Sequence, residues 1–296
     1  MLNATWLETF VTLTETGHFT HAAERLNMTQ PGVSQHLRKL EEQVGQSLIA
    51  REGKSFALTP AGEAVRDLGL SRRAEERHLR DAIMADDPNG GEVKIACSGS
   101  FAQLLYPRLL ALMRDAPRLL IHLEAAPQDT VVSGVLEGRF DLGITGQDTG
   151  HPRLNAQSIG HEELCLIMPA DTPDEVVTFE ALEDRGFVAH PDGFAYADDL
   201  LSLNFPEAFT GADRMKVRTF VNQIGQIPSP VAEGIGYTLL PRSGIDAFCG
   251  RNRLKIVSLP HRRYYELWSV TRRSPEPTAR LRAIMKIAHD VAREIG

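Results

Sequence analysis

The chain has 296 residues, which at roughly 150 residues per domain allows about two domains, each large enough to bury a core. Apolar residues make up 42% and charged residues 24%, the balance of an ordinary globular protein. Lys and Arg number 32 against 39 Asp and Glu, and the formal charge of −7 excludes diffuse polyanion binding, which needs a positive surface.

Cys97, Cys165 and Cys249 lie 68 and 84 residues apart, so there is no CxxC metal or redox motif and nothing to suggest a disulfide scaffold. No apolar run approaches the ~18 residues of a membrane span. The segment MLNATWLETF lacks a basic stretch and carries Glu8 early, unlike a signal peptide. The expectation is a cytoplasmic protein with no membrane partner, no metal and no organic cofactor.

Asn3 can cap a first helix whose Leu7, Phe10, Val11 and Leu13 share one apolar face, and Gly17 ends it. Thr20 can cap a second, His21 to Leu26, followed by a tight turn at Asn27 and Met28. Thr29 caps a third, with Pro31 in its first turn, where a missing N–H costs little; it runs to Val44, and Gly45 closes it. Short extended pieces from Ser47 to Leu58 flank the polar tip Glu52-Gly53-Lys54. Thr59-Pro60 opens a long helix in which Ala61, Val65, Leu68, Leu79 and Ala82 keep an a/d-like spacing, interrupted by Arg72 and Glu75. A linker, Asp86 to Gly91, follows.

From there apolar β-rich runs alternate with helical ones: Val93 to Ala96, Phe101 to Arg114, Leu119 to Ala125, Thr130 to Glu137, and Phe140 to Thr145. That order predicts a mostly parallel sheet with helices on both faces. A second set runs from Leu164 to Leu240, then a strand from Tyr264 to Thr271 and a closing amphipathic helix from Pro277 to Ile295. Two α/β lobes fit this pattern better than one.

On the third helix Val33, Leu37, Leu40 and Val44 form one narrow apolar stripe. Pro31, Ser34, Gln35 and Arg38 lie opposite it, with Gln30 at the edge. Gln and Arg suit bidentate contacts to adenine and guanine edges in a major groove, although an amphipathic surface helix reads the same way. A short helix, a turn, a capped polar-faced helix and a hairpin with a basic tip together describe a winged helix-turn-helix. At this point the sequence resembles the LysR-type transcriptional regulators, through FTHAAERLNMTQPGVSQHLRKLEEQVGQSLIAREGKSFALTPAGE, Phe19 to Glu63. The resemblance implies that Gln30, Pro31, Ser34, Gln35 and Arg38 touch bases or nearby backbone of double-stranded promoter DNA, while Arg51, Lys54 and Thr59 hold phosphates. Ile49 stands where the family usually has Phe. Up to Val65 there are five basic residues against seven Glu, so attraction to DNA has to be local and shared between copies of the module. For the long helix the resemblance implies an antiparallel pair that dimerises two modules; a solvated spacer is the other reading.

The stretches LLYPRLLALMRDAPRLLIHLEAAPQDTVVSGVLEGRFDLGITG and VAEGIGYTLLP follow the same family's effector domain, similar in fold to type 2 periplasmic binding proteins. The implied organisation is a winged helix-turn-helix at 1–59, a linker helix and hinge at 60–90, and a two-lobed α/β effector domain at 91–296. Lobe 1 would be 91–160 with 266–296, and lobe 2 161–265. A small, anionic effector such as a carboxylate would sit in the cleft. Strand Val93 to Ala96 runs through Cys97-Ser98-Gly99-Ser100 into a helix near Phe101, and free N–H groups there suit an anion. A plain capped turn reads the same way. The resemblance adds Thr145 across the first lobe, and Phe194, Tyr196 and Asn222 from the second; the two aromatics read equally as core residues. Pro228 and Pro230 interrupt the helix that the family usually has there, which leaves Asn222 to Ile227 as a separate turn or kinked segment.

The implied protein is a homodimer or homotetramer that regulates transcription, with RNA polymerase as a further partner. A solute-binding protein or an enzyme on a two-lobed scaffold would need no segment like 19–63, and no HxxxH, GxSxG or GxxxxGK arrangement is present. Peroxide sensing in the family uses two cysteines of the second lobe, and no motif pairs Cys165 with Cys249.

Overall fold

The computed structural model describes residues 1–52, 55–83, 86–173, 177–273 and 276–296. It divides into two compact units, one made of residues 1–86 with 136–139 and the other of residues 87–135 with 140–296.

The first unit starts with α1 (Ala4–Thr16), where the Asn3 side chain accepts hydrogen bonds from the N–H groups of Thr5 and Trp6 at 2.9 and 3.1 Å. Gly17 ends it at φ +65°, a conformation costly for any residue with a Cβ. The expected cap of the second helix is corrected: α2 (Phe19–Arg25) begins two residues earlier, because extended His18 accepts the Thr20 N–H on its own Nδ1 at 3.2 Å. Thr29 caps α3 (Gln30–Val44) as expected, and Gly45 closes it. The strands β1 (Ile49–Glu52) and β2 (Ser55–Leu58) pair antiparallel, and α4 (Pro60–Ile83) follows. Leu7, Phe10, Leu13, Val33, Leu37, Leu40 and Leu48 form one buried core in this unit.

In the second unit β3 (Gly90–Cys97), α5 (Gly99–Asp115), β4 (Arg118–Ala125), α6 (Gln128–Leu136) and β5 (Leu142–Thr145) are two successive β-α-β crossovers. The long strand β6 (Leu154–Pro169) comes next, then α7 (Phe179–Arg185), β7 (Phe187–Ala189), α8 (Gly193–Asn204) and β8 (Val217–Phe220). A 3-10 turn at Ile224–Gln226 precedes α9 (Pro228–Ala232), so this stretch is split, with Pro228 opening the helix. The chain ends with β9 (Thr238–Pro241), α10 (Arg242–Asp246), β10 (Leu254–Ile256), β11 (Arg263–Arg272) and α11 (Ala279–Ile295).

The mostly parallel sheet is also corrected. The main sheet runs β10-β6-β11-β5-β3-β4, with β9 also on β6, and among its described pairs β3 with β4 and β3 with β5 are parallel. Parallel neighbours need a crossover connection, and the β3-α5-β4 and β4-α6-β5 links supply it here. Strand β11 pairs antiparallel with both β5 and β6, and β9 and β10 add antiparallel to β6. A separate parallel pair joins β7 to β8.

Among the described residues this unit holds three hydrophobic clusters; the smallest packs Cys165, Ile167, Val188, Val231 and Leu240, and the two larger lie along β6 and β11. One packs Val93, Ile95, Leu105, Leu142, Ile159, Leu267 and Ile284; the other packs Leu164, Leu166, Phe187, Leu200, Tyr237 and Leu239. Strands β6 and β11 feed both cores. Between them Gly160 has φ +152°, a Cβ there would lie 3.1 Å from the Ala292 carbonyl oxygen, and the register shifts between Leu267 and Trp268.

Candidate DNA-reading surface and effector cavity

Helix α3 is held from behind. Val33 and Leu40 are wholly buried and Leu37 nearly so, and the Thr9 hydroxyl meets His36 Nδ1 at 2.8 Å. That hydroxyl already donates to the Thr5 carbonyl, so the imidazole is the donor of the pair. Lys39 lies 5.4 Å over the Trp6 ring, which ties the helix further to α1. The outer face is thereby fixed in direction and left open: Gln30, Pro31, Gln35 and Arg38 are exposed and Ser34 is half-buried. The Gln30 amide donates to the Ser34 hydroxyl at 3.4 Å, and the Arg38 side chain, 82% exposed, rests on Glu42 at 3.1 Å. An exposed pair of this kind is weak enough to exchange for a stronger acceptor.

The wing strands place the Arg51 backbone opposite Phe56, and Lys54 lies outside the described residues. Thr59 fastens the wing to the long helix. Its hydroxyl donates to the Ser47 carbonyl at 2.7 Å and accepts the Gly62 N–H at 3.0 Å, capping α4.

In the second unit a cavity of about 270 Å³ opens between the two cores, roughly the space of nine liquid waters. Ser98, Thr145 and Tyr196 line it, together with Gln128, Glu162, Tyr265 and Glu266. Ser98 caps α5 by accepting the Phe101 N–H at 3.3 Å, and the Thr145 hydroxyl donates to the Gln147 carbonyl at 2.9 Å. Tyr196 stacks obliquely between His190 and Tyr265, with ring centroids 5.7 and 5.8 Å apart. The Tyr265 hydroxyl donates to Asp199 at 2.6 Å, and Glu266 accepts from the Trp268 indole at 2.7 Å. Glu162 is only 4% exposed and accepts the Ser243 N–H at 3.2 Å. Burial pushes its carboxyl above the usual range, with Ser243 opposing. Burial likewise lowers His190, whose Nε2 meets the Leu239 carbonyl at 2.9 Å, and so favours the neutral ring with Nε2 as donor.

The other expected effector residues lie elsewhere. Phe101 is wholly inside the first core, and Ser100 is buried behind the cavity against Gly244 of α10. Gly99 lines a separate, open groove of about 990 Å³ formed by the outer face of α5, strand β4 and Ile224. Phe194 packs its edge on Phe187 at 5.9 Å, and Asn222 lies outside the cavity. Glu162 is one of the cavity residues that sequence reasoning missed, with Gln128, Tyr265 and Glu266. The signal for Glu162 was parity, since it stands two residues before Leu164 and four before Leu166 on the buried face of one strand.

The two buried cysteines have no reactive setting. Burial pushes the thiols of Cys97 and Cys165 up to about 12, and Cys249 is exposed and free. Among the described residues there is no cluster of three or more metal-ligating side chains, and no helix is long and apolar enough to cross a membrane.

A three-helix module that presents a capped polar helix, followed by a mixed α/β domain enclosing a walled cavity, defines a DNA-binding regulator with an effector domain. The model of the LysR substrate binding domain matches residues 86–293, and that of the bacterial regulatory helix-turn-helix protein of the lysR family matches residues 4–63. The chain belongs to the LysR family of transcriptional regulators. It is 31% identical over 257 residues to the uncharacterized HTH-type transcriptional regulator YnfL of Escherichia coli, covering 80% of this chain and 81% of that one. Among solved structures, ArgP from Mycobacterium tuberculosis superposes with a TM-score of 0.72 at 20% identity, covering 99% of this chain and 98% of that one. The full-length OxyR C199D protein from Pseudomonas aeruginosa gives a TM-score of 0.71 at 22% identity, covering 100% of this chain and 99% of that one. The family model and the relatives are those of regulators, not of enzymes.

Proposed function

We propose that this regulator reads promoter DNA with Gln30, Pro31, Ser34, Gln35 and Arg38, steadied on the phosphates by Arg51 and Lys54. Thr59, whose hydroxyl proton is given to the Ser47 carbonyl, holds the wing on the linker helix instead of a phosphate. The working divisions are a reader at 1–59, a linker at 60–90 and an effector domain at 91–296. A small effector with an anionic group, such as a carboxylate, binds in the cavity beside Ser98, where the first N–H groups of α5 and the Ser98 hydroxyl can donate. The protein works in the cytoplasm as a homodimer or homotetramer and acts on RNA polymerase at the promoter. Effector binding shifts the balance between forms of the assembly that hold DNA differently.

One observation carries the reading: a helix that buries Val33, Leu37 and Leu40 on one side shows Gln, Gln and Arg on its open side. Arg38→Ala is expected to lower affinity for a footprinted promoter site by about 1–3 kcal/mol, the worth of one bidentate base contact, and to relax specificity at one position. Gel-shift titration against the site and a scrambled duplex measures both. Unchanged affinity and specificity in Arg38→Ala and Gln30→Ala overturns the assignment of α3.

A further inference from the structure

The cavity has an uneven distribution of donors and acceptors. Among the described residues its charged lining groups are the carboxylates Glu162 and Glu266, and no lysine, arginine or histidine lines it. Two of its hydroxyls have already spent their protons, Thr145 on the Gln147 carbonyl and Tyr265 on Asp199, so each can offer only lone pairs inward. Glu162 lies within the cavity wall, 4% exposed, and a carboxylate with about four acceptor positions receives the backbone N–H of Ser243. A buried anion of this kind is costly unless a cation or further donors meet it. The acceptor-rich part of the wall therefore calls for donors on whatever fills the cavity. The donors lie at the start of α5 with Ser98, on the Gln128 amide, whose oxygen already accepts the Gly146 N–H, and on the Tyr196 hydroxyl.

We infer that the effector is a small zwitterion of the amino-acid type, its ammonium or another cationic nitrogen held by Glu162 and its carboxylate by the start of α5. The inference rests on the reading of this cavity as the effector site and adds Glu162 as the residue that selects for a cationic group. A plain carboxylate would satisfy one end and leave Glu162 facing an apolar part of the ligand, a mismatch that disfavours it.

The test uses the full-length protein and a panel of L-amino acids, each paired with the acid lacking its amine and the amine lacking its carboxylate. Thermal shift finds binders and calorimetry measures them. The expected result is that at least one amino acid binds, that its acid and amine partners each bind more than tenfold more weakly, and that Glu162→Gln weakens the amino acid more than tenfold without changing the acid. Glu162→Asp, which keeps the charge, is expected to recover part of the loss, which a merely structural role would not give. Acids that bind as tightly as amino acids, no loss in Glu162→Gln, or no binder in the panel each overturn the inference. Ser98→Leu separates this failure from that of the underlying reading. If acids bind and Ser98→Leu abolishes their binding, the cavity stands and only the zwitterion is wrong. If Ser98→Leu leaves all binding intact, the cavity is not the effector site and both fall.

Discussion

Glu162 stands at a strand position that parity assigns to an apolar side chain, in phase with Leu164, Leu166 and Met168. Its cost in the empty protein can be read through pH. Burial raises its folded-state pKa, so the native state holds the proton more tightly than the unfolded chain. The stability it contributes is therefore full at acid pH, below the unfolded pKa, and is lost as pH rises through the folded pKa. Glu162→Gln removes the charge and keeps the shape. The variant is expected to gain in melting temperature at pH 8 relative to the parent and to gain less at pH 5. For a domain of this size about 2–4 °C corresponds to each kcal/mol recovered. Paired thermal scans at the two pH values check it, and an equal gain at both would contradict the raised pKa. A side chain that reduces resting stability is characteristic of a binding site rather than of a scaffold.

At the scale of elements, α4 lies on α1 through a glycine and an arginine. A Cβ on Gly69 would stand 2.3 Å from a methyl of Val11, and Arg73 bonds Glu8 at 2.7 Å and Glu15 at 2.6 Å. Gly69→Leu is expected to push the helices apart and destabilise the first unit by about 1–3 kcal/mol, the usual cost of overpacking. Urea denaturation of the variant measures this, and unchanged stability would mean that the two helices separate at no cost. The first unit is largely legible in the sequence because caps and stops there are chemical: Asn3, Gly17, Thr29, Gly45 and Thr59 each act where their side chains, or the lack of one, predict. His18 escapes such reasoning because an imidazole cap is rarer than a hydroxyl one. The second unit is less legible. Strand β6 begins at Leu154, ten residues before the apolar run that announces it, since residues 154–163 are mostly polar. The antiparallel course of β11 is unreadable because pairing partners distant in sequence leave no local signal. Ser98, between a strand and a helix, is legible as a cavity residue and Thr145 through the family pattern, while Glu162 shows only as a charged residue in an apolar phase and Tyr265 leaves no local signal.

For the whole molecule, the net charge of −7 limits how DNA can be held. Up to Val65 five basic residues face seven Glu, and Arg38 is already beside Glu42 and Lys39 over Trp6. Each phosphate neutralised steepens the fall of log affinity with log salt by about 0.9. The slope is therefore expected to be no steeper than about −5 per reading module, so a dimer should stay within about −9. Gel shifts over a range of salt concentrations give the slope directly. A steeper one would mean that basic residues outside this module also meet the DNA.

The passage between the two cores has a mechanical consequence. The chain crosses from one core to the other on β6 near Gly160 and returns on β11 near Leu267, and these two crossings are neighbours in the same sheet. They form a single fulcrum. Glu162 and Tyr265 each stand two residues from it, and Tyr265 is tied to α8 through Asp199 and the Tyr196 ring. A pull on Glu162 would act beside that point, and the Tyr265–Asp199 bond would carry it into α8.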